Sequence, residues 1–295
     1  FLLLAALYLA LRKTNERRIF WWPILLCASV LVNFYLFFMV ALIWMGELLD
    51  QLLIRKSIAY QQAILEVAVV AISFGIAFWQ AGYLALESSS ASWGLGYYRM
   101  NLLAIFNPMG WSYLGENLYQ SSVAGEYEGF NYLGLGIIGL LILCTWQIYR
   151  YKTQFVSFCL VRPMLCISLL MLFLLALSPQ IGIGTWNLHV GFADFWKEKL
   201  STFRSSGRLF WPIWYVLVLL MIYVIARMKS YRSSIFILSF LVGIQVIDTS
   251  AKWWPRKIQL AKAAESSWPS ALKHPFWNEA AGIYKQVVLR ELPEN

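Results

Sequence analysis

The chain has 295 residues, 60% of them hydrophobic and only 13% charged, where a soluble domain carries about 25% charged residues. That composition excludes an ordinary soluble protein, and the alternating segments of roughly 10 residues that a membrane β-barrel needs do not recur. The net charge of +9 does not indicate nucleic acid, because no basic patch lies on a soluble domain and the cytoplasmic loops of membrane proteins collect Lys and Arg. The expected fold is all-α, a polytopic transmembrane helical bundle.

Residues 1–11 read as the second half of a helix, so the chain is expected to be a fragment whose N-terminal part is missing. Arg12, Lys13, Arg17 and Arg18 follow and mark a cytoplasmic loop. Residues 19–45 are apolar apart from Asn33. They read as one long crossing or as two half-helices that turn near Asn33, Phe34 and Tyr35. Charge favours the turn. If the segment returns to its own side, half of the 24 Lys and Arg fall in short loops of one face, as the positive-inside rule requires. Irregular backbone inside a membrane must be shielded by protein or line a cavity, so a returning hairpin hints at a cavity.

A loop at 46–62 carries Glu47, Asp50, Arg55 and Lys56, and a span follows at 63–86 with Glu66 near its start. Residues 87–131 form a long polar loop with a single basic residue, Arg99. Within it, 100–106 reads as a short interfacial helix stopped by Pro108. The span at 132–149 opens with Gly134, Gly136 and Gly139, which suits close helix packing. Arg150, Lys152 and Arg162 mark another cytoplasmic loop, and Pro163 sits well as a first helical residue. Residues 178–210 form a second long loop. Spans follow at 211–226 and 233–247, with Asp248 closing the second.

The expected division is a membrane domain at 1–248 and an extracytoplasmic tail at 249–295, the start of a truncated soluble domain. Trp253, Trp254 and Pro255 suggest an interface anchor. Phe276, Ala280, Ile283, Tyr284, Val287 and Val288 recur at helical spacing. The four cysteines lie in or beside apolar runs with no zinc-knuckle spacing, which suits buried small hydrophobes. The two histidines are too far apart in sequence for a His-rich metal motif.

Four constellations could carry chemistry. Arg204, Ser205, Ser206, Gly207 and Arg208 precede the span at 211. Two guanidinium forks at a helix start suit an anion, and at a membrane face that anion is a lipid phosphate; snorkelling to headgroups is the plainer use. Glu126 and Glu128 lie just before another span, between aromatics. They are candidates for a sugar or acceptor site, or for a divalent cation; a solvated acidic loop is the plainer reading. His189, with Asp194 further along the same loop as the arginines, could move a proton; a polar loop residue is the plainer reading. Glu66 and Asp248 are ionisable groups at the ends of spans and could simply reach water.

Two segments carry a resemblance. Residues 126–136 begin Glu126, Tyr127, Glu128, Gly129, Phe130, Asn131, and residues 203–212 run from Phe203 through Arg204 and Arg208 to Pro212. Together they resemble an uncharacterised family of bacterial polytopic membrane proteins, and residues 98–108 and 245–248 fit it too. That family is similar to the GT-C glycosyltransferases. The resemblance implies a polyprenyl-phosphate-linked sugar donor entering from the bilayer for envelope glycan assembly, in the bacterial inner membrane with the long loops and tail extracytoplasmic. It places the catalytic carboxylate in an outer loop upstream of Phe1. Arg204, Ser205, Ser206 and Arg208 are then left to hold the lipid phosphate. A non-catalytic protein that binds or moves a lipid-linked glycan is the alternative.

Overall fold

The computed structural model describes residues 1–12, 17–83, 94–119, 123–150, 152–191, 200–228, 231–263 and 273–284. Helix α1 (Leu2–Leu11) leads to α2 (Arg18–Val32) and α3 (Phe34–Leu49), which runs on through a π-helical turn, Asp50–Ile54. Helix α4 (Tyr60–Gln80) follows, then α5 (Leu135–Arg150), α6 (Lys152–Val161) and α7 (Pro163–Leu177). A hairpin of β1 (Gln180–Ile183) and β2 (Trp186–His189) precedes α8 (Trp211–Met228), α9 (Tyr231–Ala263) and α10 (Phe276–Ile283). Among the described residues, four helical stretches are long and apolar enough to cross a membrane: Phe34–Ile54, Tyr60–Gln80, Ser206–Arg227 and Tyr231–Lys262.

The apolar run at 19–45 turns at Asn33. This residue is extended (φ −168°, ψ 133°), which ends α2, and its Oδ1 accepts from Tyr35 N at 2.8 Å, which starts α3. The two helices run antiparallel, since Arg18 at the start of α2 reaches Glu47 near the end of α3. Gly46 lets α3 and α7 touch. A Cβ there would stand 2.9 Å from the Leu165 Cα, and small residues of this kind are what membrane helix contacts require.

The bundle has two chemically distinct ends. At one, Arg18 pairs with Glu47 and Glu66, Arg55 pairs with Glu47, and Trp44 Nε1 donates to Glu66 at 2.8 Å. Asp50 caps α7 by accepting from Met164 N and Leu165 N, both at 2.9 Å. Glu66 therefore does not reach water: it is 2% exposed and neutralised. At the other end lie the Asn33 turn, the C-terminus of α7 and the long loops. Phe34, Tyr35 and Phe38 of α3 hold Phe203 there, with ring centroids 5.9, 5.9 and 4.3 Å away.

Three sequence expectations change. Residues 100–106 form no helix: Asn101 makes an isolated bridge to Gly182 and 102–106 form turns. Asn101 Oδ1 accepts from Leu103 N and from Gly184 N, so its side chain competes with the helical ladder and ties the segment to the hairpin. Asp248 does not close its helix. It is buried in α9 and accepts from Tyr132 Oη at 3.1 Å, Leu135 N at 3.0 Å and the Ser112 hydroxyl. The helix also continues past Trp253, Trp254 and Pro255 to Ala263. The glycine-rich start of α5 does pack closely, with Gly136 against the Leu241 carbonyl and Gln245 of α9.

Packing divides the chain into residues 1–252 and 253–295. The second unit contains α10, which covers the first part of the amphipathic pattern and ends at Ile283. Val287 and Val288 lie outside the described residues.

Candidate functional site at the loop end

Three loop segments meet beside the C-terminus of α7, and glycines allow it. The short 3₁₀ helix Ala124–Gly129 lies against residues 97–100, and the turn Ser206–Phe210 lies against both. A Cβ on Gly207 would stand 2.6 Å from the Gly129 Cα, and a Cβ on Gly129 would overlap the Arg99 carbonyl. Gly207 N donates to Tyr98 O at 3.0 Å, and Asn131 Nδ2 donates to Gly129 O at 3.0 Å and Gly207 O at 3.4 Å. The acidic and basic motifs, distant in sequence, are thus one backbone assembly.

Arg99 is its centre and is fully buried. Its Nε and Nη2 donate to Glu126 Oε1 at 3.2 and 2.9 Å, its Nη1 donates to Gln180 O at 2.6 Å, and Nη2 also donates to Asn187 Oδ1. Asn101 Nδ2 donates to Glu126 Oε2 at 3.4 Å and Gly184 O at 2.8 Å. A buried guanidinium and carboxylate endure only when paired and hydrogen-bonded, and both conditions are met. Nearby, burial first, then the Glu126 charge, push the Tyr119 phenol up to about 12. Tyr119 is therefore a neutral group at physiological pH. The Tyr132 hydroxyl donates to the Asp248 carboxylate at 3.1 Å.

The face of this assembly carries the two arginines singled out in sequence. Arg208 Nε donates to Glu128 Oε2 at 2.6 Å, and its Nη2 also reaches that oxygen, yet a third of its side chain stays accessible. Arg204 is exposed, stacks over the Tyr98 ring at 5.4 Å and makes no ion pair among the described residues. Ser205 N donates to Tyr35 Oη at 2.7 Å, which pins the turn to the start of α3. The Ser206 hydroxyl is buried without a partner among the described residues.

Of the residues expected to form a site, Glu128 and Arg208 are in direct contact, and Glu126 joins the same assembly through Gly129. Neither carboxylate stands unpaired: Glu126 faces Arg99 and Glu128 faces Arg208. Among the described residues, no three of His, Cys, Asp or Glu group to hold a metal ion. His189 is exposed at the end of β2, opposite Gln180 in the ladder. Asp194 lies outside the described residues. Sequence reasoning missed Arg99, Asn101, Tyr98 and Tyr35. Only Arg99 carried a signal, as the lone basic residue of a long loop.

Over residues 1–250 the chain matches a family model described as Domain of unknown function (DUF6311), and it belongs to that family. No curated protein and no solved structure matches it.

Proposed function

We propose that this chain is the donor-holding membrane part of a GT-C-like glycosyltransferase that uses a polyprenyl-phosphate-linked sugar in envelope glycan assembly. In this reading its described residues bind the lipid-linked sugar and do not themselves break bonds. The observation that carries the proposal is the Arg204–Arg208 turn. Arg204 is an exposed cation held over an aromatic ring, four residues from a second, partly accessible guanidinium. Both sit at the opposite end of the bundle from Arg18, Arg55 and the Asp50-capped start of α7. If the basic end faces the cytoplasm of a bacterial inner membrane, the turn faces outward, where topology gives no reason for paired arginines. A phosphate monoester or diester offers the oxygen fork that guanidinium groups match.

Binding is favoured over chemistry by the state of the carboxylates. A general base must be free to take a proton, and Glu126 and Glu128 are both engaged by guanidinium groups. The test is binding of a polyprenyl phosphate to purified protein. Arg204→Gln weakens it about tenfold while membrane insertion and elution as a single species are unchanged. Wild-type affinity in a folded Arg204→Gln, Arg208→Gln double variant overturns the proposal.

A further inference from the structure

A cavity of about 360 Å³ opens on the flank of α7 just below the arginine turn. Leu170, Met171 and Leu174 form its helical wall, and Leu95, Phe203 and Leu209 close it from the loop side. From Ile167 to Leu175 it follows the helix for about 12 Å, at 1.5 Å per residue. The helical wall is exposed, so the cavity is open where a bilayer would surround α7.

Two lining residues break the apolar pattern. Ser178 and Ser206 both border the cavity, at 8% and 1% exposure, and neither Oγ has a hydrogen-bond partner among the described residues. Ser178 also holds a left-handed φ of 63° that its side chain disfavours. A buried hydroxyl without a partner is costly and rare in a native structure. Two of them beside one apolar cavity offer a polar ligand a pair of hydrogen-bonding groups.

We infer that this cavity binds the apolar chain of a single-chain lipid phosphate, with the oxygens of its phosphate ester next to Ser178 and Ser206. The inference rests on reading Arg204 and Arg208 as the phosphate ligands. Ser206 lies between them in sequence, so a chain leaving a phosphate at the turn passes the serines on its way down α7. Taking about 30 Å³ for a water-sized group, the volume holds about a dozen chain carbons. That is one chain, and a two-chain glycerolipid would leave its second chain outside.

The experiment uses the whole chain purified in detergent and thermophoretic binding of farnesyl phosphate, farnesol, inorganic phosphate and dioleoyl phosphatidic acid. Leu174→Trp fills the cavity at an exposed position that tolerates bulk. It is expected to weaken farnesyl phosphate and farnesol at least tenfold, with Leu170→Trp as the second variant. Ser206→Ala is expected to weaken farnesyl phosphate about threefold to tenfold without lowering the unfolding temperature. Unchanged binding of both prenyl compounds to both Trp variants overturns the inference. So does phosphatidic acid that binds as tightly as farnesyl phosphate and responds equally to Leu174→Trp. If Leu174→Trp weakens farnesol but Arg204→Gln leaves farnesyl phosphate untouched, the cavity is a chain site and the phosphate reading of the arginines falls.

Discussion

Removing the Glu126 carboxylate separates a structural role from a chemical one. Glu126 accepts two hydrogen bonds from Arg99, and the two side chains are 2% and 0% exposed. Glu126→Ala strips that partner from a fully buried guanidinium. Breaking a buried pair from one side costs about 3–5 kcal/mol, and the lower half applies because Arg99 keeps the Gln180 carbonyl and the Asn187 amide oxygen. Glu126→Gln retains shape and an acceptor and costs about 1.5–3 kcal/mol, the worth of a hydrogen bond to a charged group. In a chain of this size 1 kcal/mol moves Tm by about 2–4 °C. The Ala variant should therefore unfold about 10 °C early in detergent, measured by loss of the monomer peak after heating. Combining it with Arg99→Met should cost less than the two single changes together, because no buried charge is then left alone. Polyprenyl phosphate binding, measured well below the transition, should persist in Glu126→Gln. A Glu126→Gln protein with wild-type Tm and no binding would refute this reasoning and make Glu126 a ligand-contacting group.

Two further outcomes follow from the packing. Gly129→Ala and Gly207→Ala should each destabilise by about 1–3 kcal/mol, since backbone cannot move aside as a flexible side chain can; a thermal scan showing either variant at wild-type Tm would contradict the close approach of the two motifs. In a variant with Cys27, Cys144, Cys159 and Cys166 replaced, an impermeant maleimide applied to spheroplasts should label Leu114→Cys and spare Lys56→Cys until the membrane is permeabilised, and labelling of both from outside would contradict the two-ended bundle.

Much of the architecture was legible because it is local. The turn at Asn33 could be read from one polar residue in a long apolar run combined with the charge count, and a capping Asn is what the structure has there. Pro163 starts α7 as a proline at the first helical position does. The failures are local patterns overruled by distant partners. Residues 100–106 have enough apolar spacing for a helix, but Asn101 spends its side chain on Leu103 N and on the hairpin. Residue Asp248 looked like the polar end of a span. Its carboxylate instead caps the neighbouring α5, at a separation of 113 residues.

The ionisable residues show why a site could be suspected but not assembled from sequence. In apolar surroundings a charge must find a counter-charge, so Glu66, Glu126 and Arg99 could each be expected to have one. Solvation does not say which. Arg18 meets Glu66 across 48 residues, Arg99 meets Glu126 across 27 and Arg208 meets Glu128 across 80. The pairing decides function, because each match converts a candidate acid or ligand into a structural pair. After all of them are made, Arg204 is left exposed on the loop face, partnered only by the Tyr98 ring among the described residues. The proposal of an anion site at the arginine turn rests on that remainder more than on the motif it came from.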